Sequence, residues 1–525
     1  MAEEQSPNEN LIRWPMQSLV AMLGVFALFA LAYSQAPLYT SNQNQYFLHG
    51  AATAGFGTLE HDWLANTVDP TPVFSALVQL TFLLRLPALF HIYYAVLLGV
   101  YLYSMWGLLQ ETLQPQWDRP QRWIVLGVLI AIHSFAFRFI LSRALGQGWR
   151  FVLEGGFAGQ RLLGTVFQPS TFGVLLLLGI LLFLRKRTIP AIISVVLAAT
   201  VHPTYLLSAA LVILGFMFVS LKESRSPKGL ILIGLVSLVL VSPILWYTWS
   251  RFQATSPRLA ELASQILVET RIPNHVLLKE WFNLSVIFQS GLILLAIYLY
   301  RKHPISIILT TIAAAVFLLT LFQIETGNQR LALLFPWRPS ALLVPVSSVL
   351  LLGFVSDRLR ARIHPTIERG RRRIEVAVWL LLILLAGIGI GSYLHDLRGK
   401  RLDTARPMFE FIRVNHRPGD RFFIPPKQQD FRLATGAPIL VDFKSIPYVD
   451  AEVIEWYDRL RTAQNFYRDT VDERNCVQID KAVESGSINH VVLGPDQHGL
   501  TCSIFAELLF SDDSYQVYKI DPAEQ

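Results

Sequence analysis

Residues 188–220 read TIPAIISVVLAATVHPTYLLSAALVILGFMFVS, an apolar run broken once by His202-Pro203. At 1.5 Å per residue, this run is too long for one membrane span and barely long enough for two. Basic residues flank it on both sides: Arg185-Lys186-Arg187 before it, and Lys222, Arg225 and Lys228 after it. Basic loops favour the cytoplasmic side, so two basic flanks require an even number of crossings. The run therefore predicts a hairpin of two short spans that turns at His202-Pro203 on the outer side.

Apolar runs of span length recur along most of the chain. The clearest lie at approximately 15–33, 87–109, 123–142, 164–184, 229–249, 282–300, 304–322, 339–356 and 374–394. Arg301-Lys302 and the tract from Arg358 to Arg373, with seven arginines, fall on the basic, inner side. With the hairpin, this pattern predicts about 11 transmembrane helices, with the N-terminus inside and the C-terminus outside. A rival prediction makes 72–84 a twelfth span, but its short length and the following Arg85 and Pro87 favour an interfacial helix.

The composition excludes an ordinary soluble protein. Hydrophobic residues make up 53% of the chain and charged residues only 16%, against about 25% charged residues in a typical soluble domain. The acidic start MAEEQSPNEN, with no small-residue cleavage site behind the first apolar run, predicts that there is no cleavable signal peptide. The net charge of +7 is unevenly placed and indicates topology, not nucleic-acid binding. We therefore expect a multi-pass protein of the cell (inner) membrane whose first partner is the lipid bilayer.

The composition changes sharply toward charged residues near Arg398. We expect a transmembrane domain over 1–396, with a long first outer loop at 34–86, and an extracytoplasmic domain over 397–525. Short β-like runs in this tail lie at Arg421–Ile424, Pro438–Phe443, His490–Gly494 and Tyr515–Ile520, with a helical pattern at Asp450–Arg468. Alternating strands and helices predict a small α/β domain.

Cys476 and Cys502 are the only cysteines in the chain, and both lie in the tail. Disulfides persist in oxidising compartments, where the predicted topology places this domain. The spacing closes a loop worth roughly 3 kcal/mol in the chain-entropy model. Two buried free thiols are the alternative.

Polar residues gather on the predicted outer face. Glu60 and Asp62 lie in the first outer loop, where a carboxylate pair either solvates the loop or forms part of a site. Arginines and a histidine lie near the outer ends of spans: Arg138, His202, Arg330 and Arg338. An arginine within a span is costly and faces a polar cavity or pairs with a carboxylate, which applies to Arg138. The alternatives are a hairpin cap for His202 and contact with lipid headgroups for Arg330 and Arg338.

The sequence contains no P-loop, GxGxxG, HExxH, CxxC or nucleophile-elbow motif. Its organisation resembles the GT-C superfamily of polytopic membrane glycosyltransferases. The resemblance rests on a first span, a long outer loop with acidic residues, an interfacial helix, many further spans and a C-terminal outer domain. The tail segment Phe431-Arg432, followed by Gly436 to Lys444, also resembles tail segments of uncharacterised bacterial GT-C-like proteins.

The resemblance implies a transferase whose sugar donor is linked to a polyprenyl phosphate. In that superfamily an acidic residue of the first outer loop acts as general base or metal contact, and the matching positions here are Asp62 first and Glu60 second. A divalent cation, Mg²⁺ or Mn²⁺, held by these two carboxylates is compatible with the resemblance but not required by it. Cations would hold the phosphate leaving group, and the candidates are Arg138, His202, Arg330 and Arg338.

Two other functions compete with the enzyme. In a multi-pass transporter or flippase, charged residues would line a pathway across the membrane. The charged residues here lie at the outer ends of the predicted spans, and no inverted repeat is evident. The other is a non-catalytic membrane scaffold with a GT-C-like shape, which architecture alone does not separate from the enzyme. The acceptor is unknown under every hypothesis.

Overall fold

The computed structural model describes residues 13–16, 18–468, 476–484, 487–497, 500 and 502–520. The acidic first ten residues, on which the expectation about a signal peptide rests, lie outside this part of the chain. The described residues form long apolar helices and one four-stranded sheet. The predicted fold class, an α-helical polytopic membrane protein with a small C-terminal α/β domain, is confirmed.

Six helices of the described residues are long and apolar enough to cross a membrane: Leu89–Leu113, Pro203–Ser224, Pro227–Arg251, Pro304–Thr326, Ser340–Leu359 and Arg372–Arg401. Further predicted spans correspond to shorter apolar helices: Leu19–Tyr33, Pro169–Leu184, Thr188–Val201 and Leu284–Leu299. The segment predicted to be interfacial is a helix, Pro72–Leu83. The number of spans and their orientation remain predictions from the sequence.

The segment predicted as one span at 123–142 is a bent pair of helices. Arg119–Ile132 and Phe135–Leu145 meet at an angle of 55°. Ser134 begins the second helix, because its hydroxyl accepts a hydrogen bond from the backbone N–H of Phe137 at 3.2 Å. Because of the break at His133-Ser134, Arg138 lies on the second helix, whose axis differs in direction from that of the first.

The break predicted at His202-Pro203 is present and separates two helices within the apolar run 188–220. Helix Thr188–Val201 ends at His202, and the 3₁₀ turn Pro203–Tyr205 leads into helix Leu206–Ser224. Gly179 lets the preceding helix approach closely, since a Cβ atom there would lie 2.5 Å from the Cγ2 of Val195.

The tail contains a small mixed sheet whose strands are β1 (Phe422–Phe423), β2 (His490–Leu493), β3 (Phe505–Ser511) and β4 (Gln516–Ile520). The strand order is β1-β2-β4-β3; β1 and β2 are parallel, and the other pairs are antiparallel. Helix Asp450–Phe466 packs Trp456 and Leu460 into a core with Phe423 and Val491. Other helices of the tail are Arg406–Asn415, Phe431–Thr435 and Cys476–Glu484.

One predicted strand is not formed, and one strand was not predicted. Pro438–Phe443 makes only an isolated bridge, Phe422 to Ile439, and its remaining backbone bonds go elsewhere. Strand β3, Phe505–Ser511, was not predicted because its sequence does not alternate clearly between apolar and polar residues. It lies at the edge of the sheet, where its side chains are partly or fully exposed.

The two cysteines form a disulfide in the structure, with Cα atoms 5.6 Å apart. Cys476 begins helix Cys476–Glu484, and Cys502 lies three residues before β3. The bond ties this helix to the start of the edge strand.

The chain divides into two compact units. The helical unit comprises Met1–Gln35, His91–Leu245 and Asn274–Leu394, and the tail unit comprises Ala36–Phe90, Trp246–Pro273 and His395–Gln525. This division differs from the domains expected from the sequence, which assigned 34–86 to the transmembrane domain. The first outer loop belongs to the tail unit because its residues form hydrogen bonds with tail residues.

Candidate functional site

Asp62 is completely buried within the tail unit. It follows the 3₁₀ turn Leu59–His61, and its Oδ1 accepts hydrogen bonds from the backbone N–H groups of Leu64 at 3.0 Å and Ala65 at 3.2 Å. An aspartate before a turn commonly caps it in this way. One carboxylate oxygen of Asp62 is thus used to shape its own loop.

The other oxygen of Asp62 binds two groups of the tail segment. Its Oδ2 accepts from the Nε of Arg432 at 2.7 Å and from the backbone N–H of Ile439 at 3.1 Å. Arg432 is also buried and donates through Nη1 to Asp442, whose other oxygen accepts from the backbone N–H of Ser445 at 2.6 Å. Burial raises the pKa of Asp442, and the adjacent guanidinium opposes that rise. Asp62, Arg432 and Asp442 therefore form one buried ion cluster, hereafter the Arg432 cluster.

Two glycines allow the loop and the tail segment to meet. Gly57 and Gly436 both have positive φ, at +61° and +78°. A Cβ atom on Gly57 would lie 2.2 Å from the carbonyl oxygen of Gly436, so no larger residue fits there without a backbone shift. That carbonyl accepts a hydrogen bond from the backbone N–H of Thr58 at 2.8 Å.

Glu60 lies in a different environment from Asp62. Its side chain is 62% exposed and lies 3.6 Å from the ring of the likewise exposed His61. Both oxygens of Asp62 accept hydrogen bonds, so a cation shared with Glu60 would have to displace at least one of them. Within the described residues, no group of three or more His, Cys, Asp or Glu side chains lies together as a metal site. Binding of Mg²⁺ or Mn²⁺ stays a prediction from the sequence.

The helical unit brings together two of the four predicted phosphate-binding residues. Arg338 Nη1 lies 3.1 Å from Nε2 of the buried His202 and also donates to the hydroxyl of Thr204. Arg338 itself is half-buried, and its guanidinium lies 5.6 Å from the ring of Tyr205. Arg338 thus lies beside the His202-Pro203 turn in a partly exposed position.

Arg138 is buried and pairs with a carboxylate, one of the two roles expected for it. Its Nη1 lies 3.0 Å from Oε1 of the buried Glu154, and its guanidinium lies 4.0 Å from the ring centre of Tyr33. Such a pair satisfies a charge within apolar surroundings. Arg330 is exposed on the short helix Gln329–Leu333.

A polar cavity of about 400 Å³ lies within the helical unit. Its lining includes Arg150, Arg161, Asn274, His275, Glu280 and Gln289. Arg161 lies over the ring of Phe151 at 4.1 Å, and Gln289 donates to the carbonyl of Gly155 at 2.9 Å. The sequence analysis did not predict this cavity.

The tail segment that the resemblance had marked, without a role, contains two members of the Arg432 cluster. Arg432 and Asp442 belong to the stretch Phe431-Arg432 and Gly436 to Lys444, which the resemblance had marked. The available signal in the sequence was an arginine within a stretch of apolar residues, because a buried arginine needs a charged partner. Its partner Asp62 lies 370 positions away, and no local pattern reveals such a pairing.

Part of the tail matches a family model, described as "Domain of unknown function (DUF6798)", over residues 403–463. The matched residues include Arg432 and Asp442. The sequence matches no curated protein. Among solved structures, the chain is similar to the crystal structure of ArnT from Cupriavidus metallidurans bound to undecaprenyl phosphate. The similarity covers 95% of this chain and 96% of that chain, with a TM-score of 0.49 and 10% sequence identity.

Proposed function

We propose that this membrane protein is a GT-C-like glycosyltransferase that moves a sugar from a polyprenyl-phosphate-linked donor to an acceptor on the outer face of the membrane. In this reaction the acceptor oxygen bonds to the anomeric carbon, and the bond from that carbon to the phosphate oxygen breaks. The lipid phosphate departs, and the acceptor hydroxyl gives its proton to a carboxylate. Asp62 is the proposed proton acceptor.

The observation that carries this proposal is the tie between the first outer loop and the tail. Arg432 holds the Asp62 carboxylate at 2.7 Å, and the backbone N–H of Ile439 fixes the same oxygen. A catalytic carboxylate must be held in one position by neighbouring groups. To accept a proton, Asp62 has to exchange one of its present hydrogen bonds for one from the acceptor hydroxyl, as catalytic groups do when a substrate complex forms.

Arg338 is the proposed contact for the departing phosphate. It is half-buried and already oriented by His202 and Thr204, which reduces the cost of ordering it around a ligand. A guanidinium can donate two parallel hydrogen bonds to phosphate oxygens and can stabilise the negative charge that develops there. The reaction as proposed uses no metal ion.

A non-catalytic scaffold is the second candidate, and one observation favours it. The Asp62 carboxylate accepts four hydrogen bonds, two on each oxygen, and is fully buried. A carboxylate satisfied in this way also suits a purely structural role, because its loss would leave Arg432 with one partner fewer.

Substitution of Asp62 tests the proposal against the scaffold. Asp62→Asn keeps the size of the side chain and one oxygen acceptor for the turn, but it removes the base. We expect transfer of radiolabelled sugar in proteoliposomes to fall by about 10²- to 10⁴-fold, while the exposed Glu60→Gln control changes it little. The thermal midpoint of each variant checks that the fold is retained.

Two outcomes would reject parts of this proposal. Wild-type turnover that Asp62→Asn matches would remove Asp62 as the base. No wild-type turnover with a broad panel of polyprenyl-phosphate sugars would favour the scaffold.

A further inference from the structure

Two cations lie side by side in the tail unit beyond the Arg432 cluster. Lys444 follows Asp442 by two positions, and Arg271 ends a single π-helical turn, Leu267–Arg271. Both side chains are half-buried, and Arg271 Nη2 donates to the backbone carbonyl of Lys444 at 2.7 Å. Isolated π-helical turns occur frequently at functional sites.

The positive charge of this pair is not balanced. Within the described part of the chain, neither cation has a carboxylate within 4.0 Å. The charge of Asp442 acts on both Lys444 and Arg271. This carboxylate is already bonded to Arg432 and to the backbone N–H of Ser445. Arg271 Nε is buried, and it has no hydrogen-bond partner among the described residues. A buried donor without a partner is costly, so a bound acceptor would stabilise it.

Burial and neighbouring charges change the pKa values of both groups. Burial, and next the positive charge of Arg271, lower the pKa of Lys444 to about 8. Burial also lowers the pKa of Arg271, while Tyr448, Asp442 and Tyr46 oppose the decrease. The fold thus holds two cations together at a cost that a bound anion would offset.

The surroundings of the pair can supply further donors. Tyr46 and Tyr448 lie close enough to influence Arg271, and the side-chain amide of Gln45 donates to the Tyr448 hydroxyl. The guanidinium of Arg271 lies 5.3 Å from the ring of Phe443, within the range of a cation–π contact. An oriented guanidinium beside an ammonium and tyrosine hydroxyls matches the many acceptor oxygens of a phosphate.

We propose that Lys444 and Arg271 bind a phosphate group. The proposal rests on the proposed function only for the choice of a polyprenyl phosphate as the natural source. A soluble phosphate or phosphate ester presents the same oxygens, and the experiment separates the two sources. Binding itself requires no turnover, so it can be measured whether or not the protein transfers sugar.

The proposed site has a defined pH dependence. Lys444 must be protonated to bind the anion, so affinity should fall as pH rises through about 8. The groups that face Lys444 or Arg271 are Asp442, Tyr46 and Tyr448. Asp442 remains paired with Arg432, so it does not account for a change near pH 8. Lys444→Arg should retain binding and abolish this dependence, because an arginine stays charged.

Calorimetric titration of the full-length protein in nanodiscs tests the proposal with three probes: farnesyl phosphate, inorganic phosphate and farnesol. We expect Lys444→Ala and Arg271→Ala to weaken farnesyl phosphate by about 10- to 100-fold, the usual effect of losing a charge-assisted hydrogen bond. The matched controls Lys427→Ala and Arg258→Ala remove exposed cations of the same unit and should change nothing.

Each outcome decides one question. Tighter binding of farnesyl phosphate than of inorganic phosphate supports a lipid source, and equal binding of the two supports a soluble phosphate at the same site. Equal binding of farnesol, or unchanged affinity in both alanine variants, overturns the proposal. Phosphate binding that weakens in Lys444→Ala and Arg271→Ala, in a protein whose wild type transfers no sugar, would reject the proposed function and leave this site standing.

Discussion

At the scale of single residues, Arg432 should contribute more to stability than any surface arginine of the tail. It is buried and shared by two carboxylates that are themselves buried. Arg432→Met would leave Asp62 and Asp442 without their cation, and breaking a buried pair of this kind costs about 3–5 kcal/mol. We expect a clear decrease in the thermal unfolding midpoint of the purified protein, measured by intrinsic fluorescence.

A matched control separates burial from charge. Arg413 pairs with Glu410 at 2.5 Å, but both side chains are 54% exposed. Arg413→Met should therefore cost about 0.5 kcal/mol or less. Combining Arg432→Met with Asp62→Asn and Asp442→Asn should recover part of the loss, because no uncompensated charge remains. Equal midpoints for Arg432→Met and Arg413→Met would contradict a structural role for the Arg432 cluster.

The sequence predicted parts of the candidate site only where the type of a residue and its place in a span or loop limit what its side chain can do. Arg138 within a span predicted a cavity-facing or carboxylate-paired arginine, and it pairs with Glu154 only 16 positions away. The contact of Arg338 with His202 joins two residues that the sequence had assigned to one role. The burial of Asp62 was not predictable, because it depends on a tail residue 370 positions away.

At the scale of elements, patterns of apolar residues placed the long helices, and turn chemistry placed their breaks. The break at His202-Pro203 was visible because proline cannot continue the hydrogen bonding of a helix. The break at His133-Ser134 was missed, since an N-cap serine inside an apolar run differs little from a serine in a span.

The missed tail elements have a different cause. Pro438–Phe443 has the composition of a strand, yet the backbone N–H of Ile439 binds the Asp62 carboxylate and that of Phe443 binds the carbonyl of Pro426. Those bonds to the first outer loop and to a neighbouring turn replace a sheet ladder, and a tertiary contact of that kind overrides local propensity.

The disulfide provides a prediction at the scale of elements. Cys476 and Cys502 enclose a loop with a sequence separation of 26. A loop of this length corresponds to roughly 3 kcal/mol of lost chain entropy in the unfolded state. Non-reducing mass spectrometry of protein purified from membranes should find one linked peptide pair, and reduction should lower the unfolding midpoint of the tail.

The control for the disulfide is the double variant Cys476→Ser, Cys502→Ser. Reducing agent should lower the midpoint of the wild type toward that of the variant and leave the variant itself unchanged. Recovery of both thiols free from oxidatively purified protein would contradict the bond and weaken the outer placement of the tail.

At the scale of the whole molecule, the tail unit is assembled from three separate segments of the chain. Thr255 binds Asp450 through its backbone N–H at 2.9 Å and its hydroxyl at 2.7 Å, and Arg271 binds the carbonyl of Lys444. The first outer loop adds the Asp62–Arg432 pair. Segments that fold into one unit must emerge on one side of the membrane, so the topology deduced from basic loops gains a physical constraint.

This constraint leads to a labelling prediction. Ser41 lies in the first outer loop, and Ser511 is exposed at the end of β3. Placed singly in a cysteine-free background, Ser41→Cys and Ser511→Cys should both react with a membrane-impermeant maleimide in intact cells. Ser224→Cys, on the basic side of the hairpin, should react only after permeabilisation, because positively charged loops are retained in the cytoplasm. As a control, the unfolded protein should react at both positions. Labelling of the folded protein at 511 but not at 41 would contradict the eleven-span topology. It would also place Asp62 on the opposite side of the membrane from the tail that is proposed to hold it.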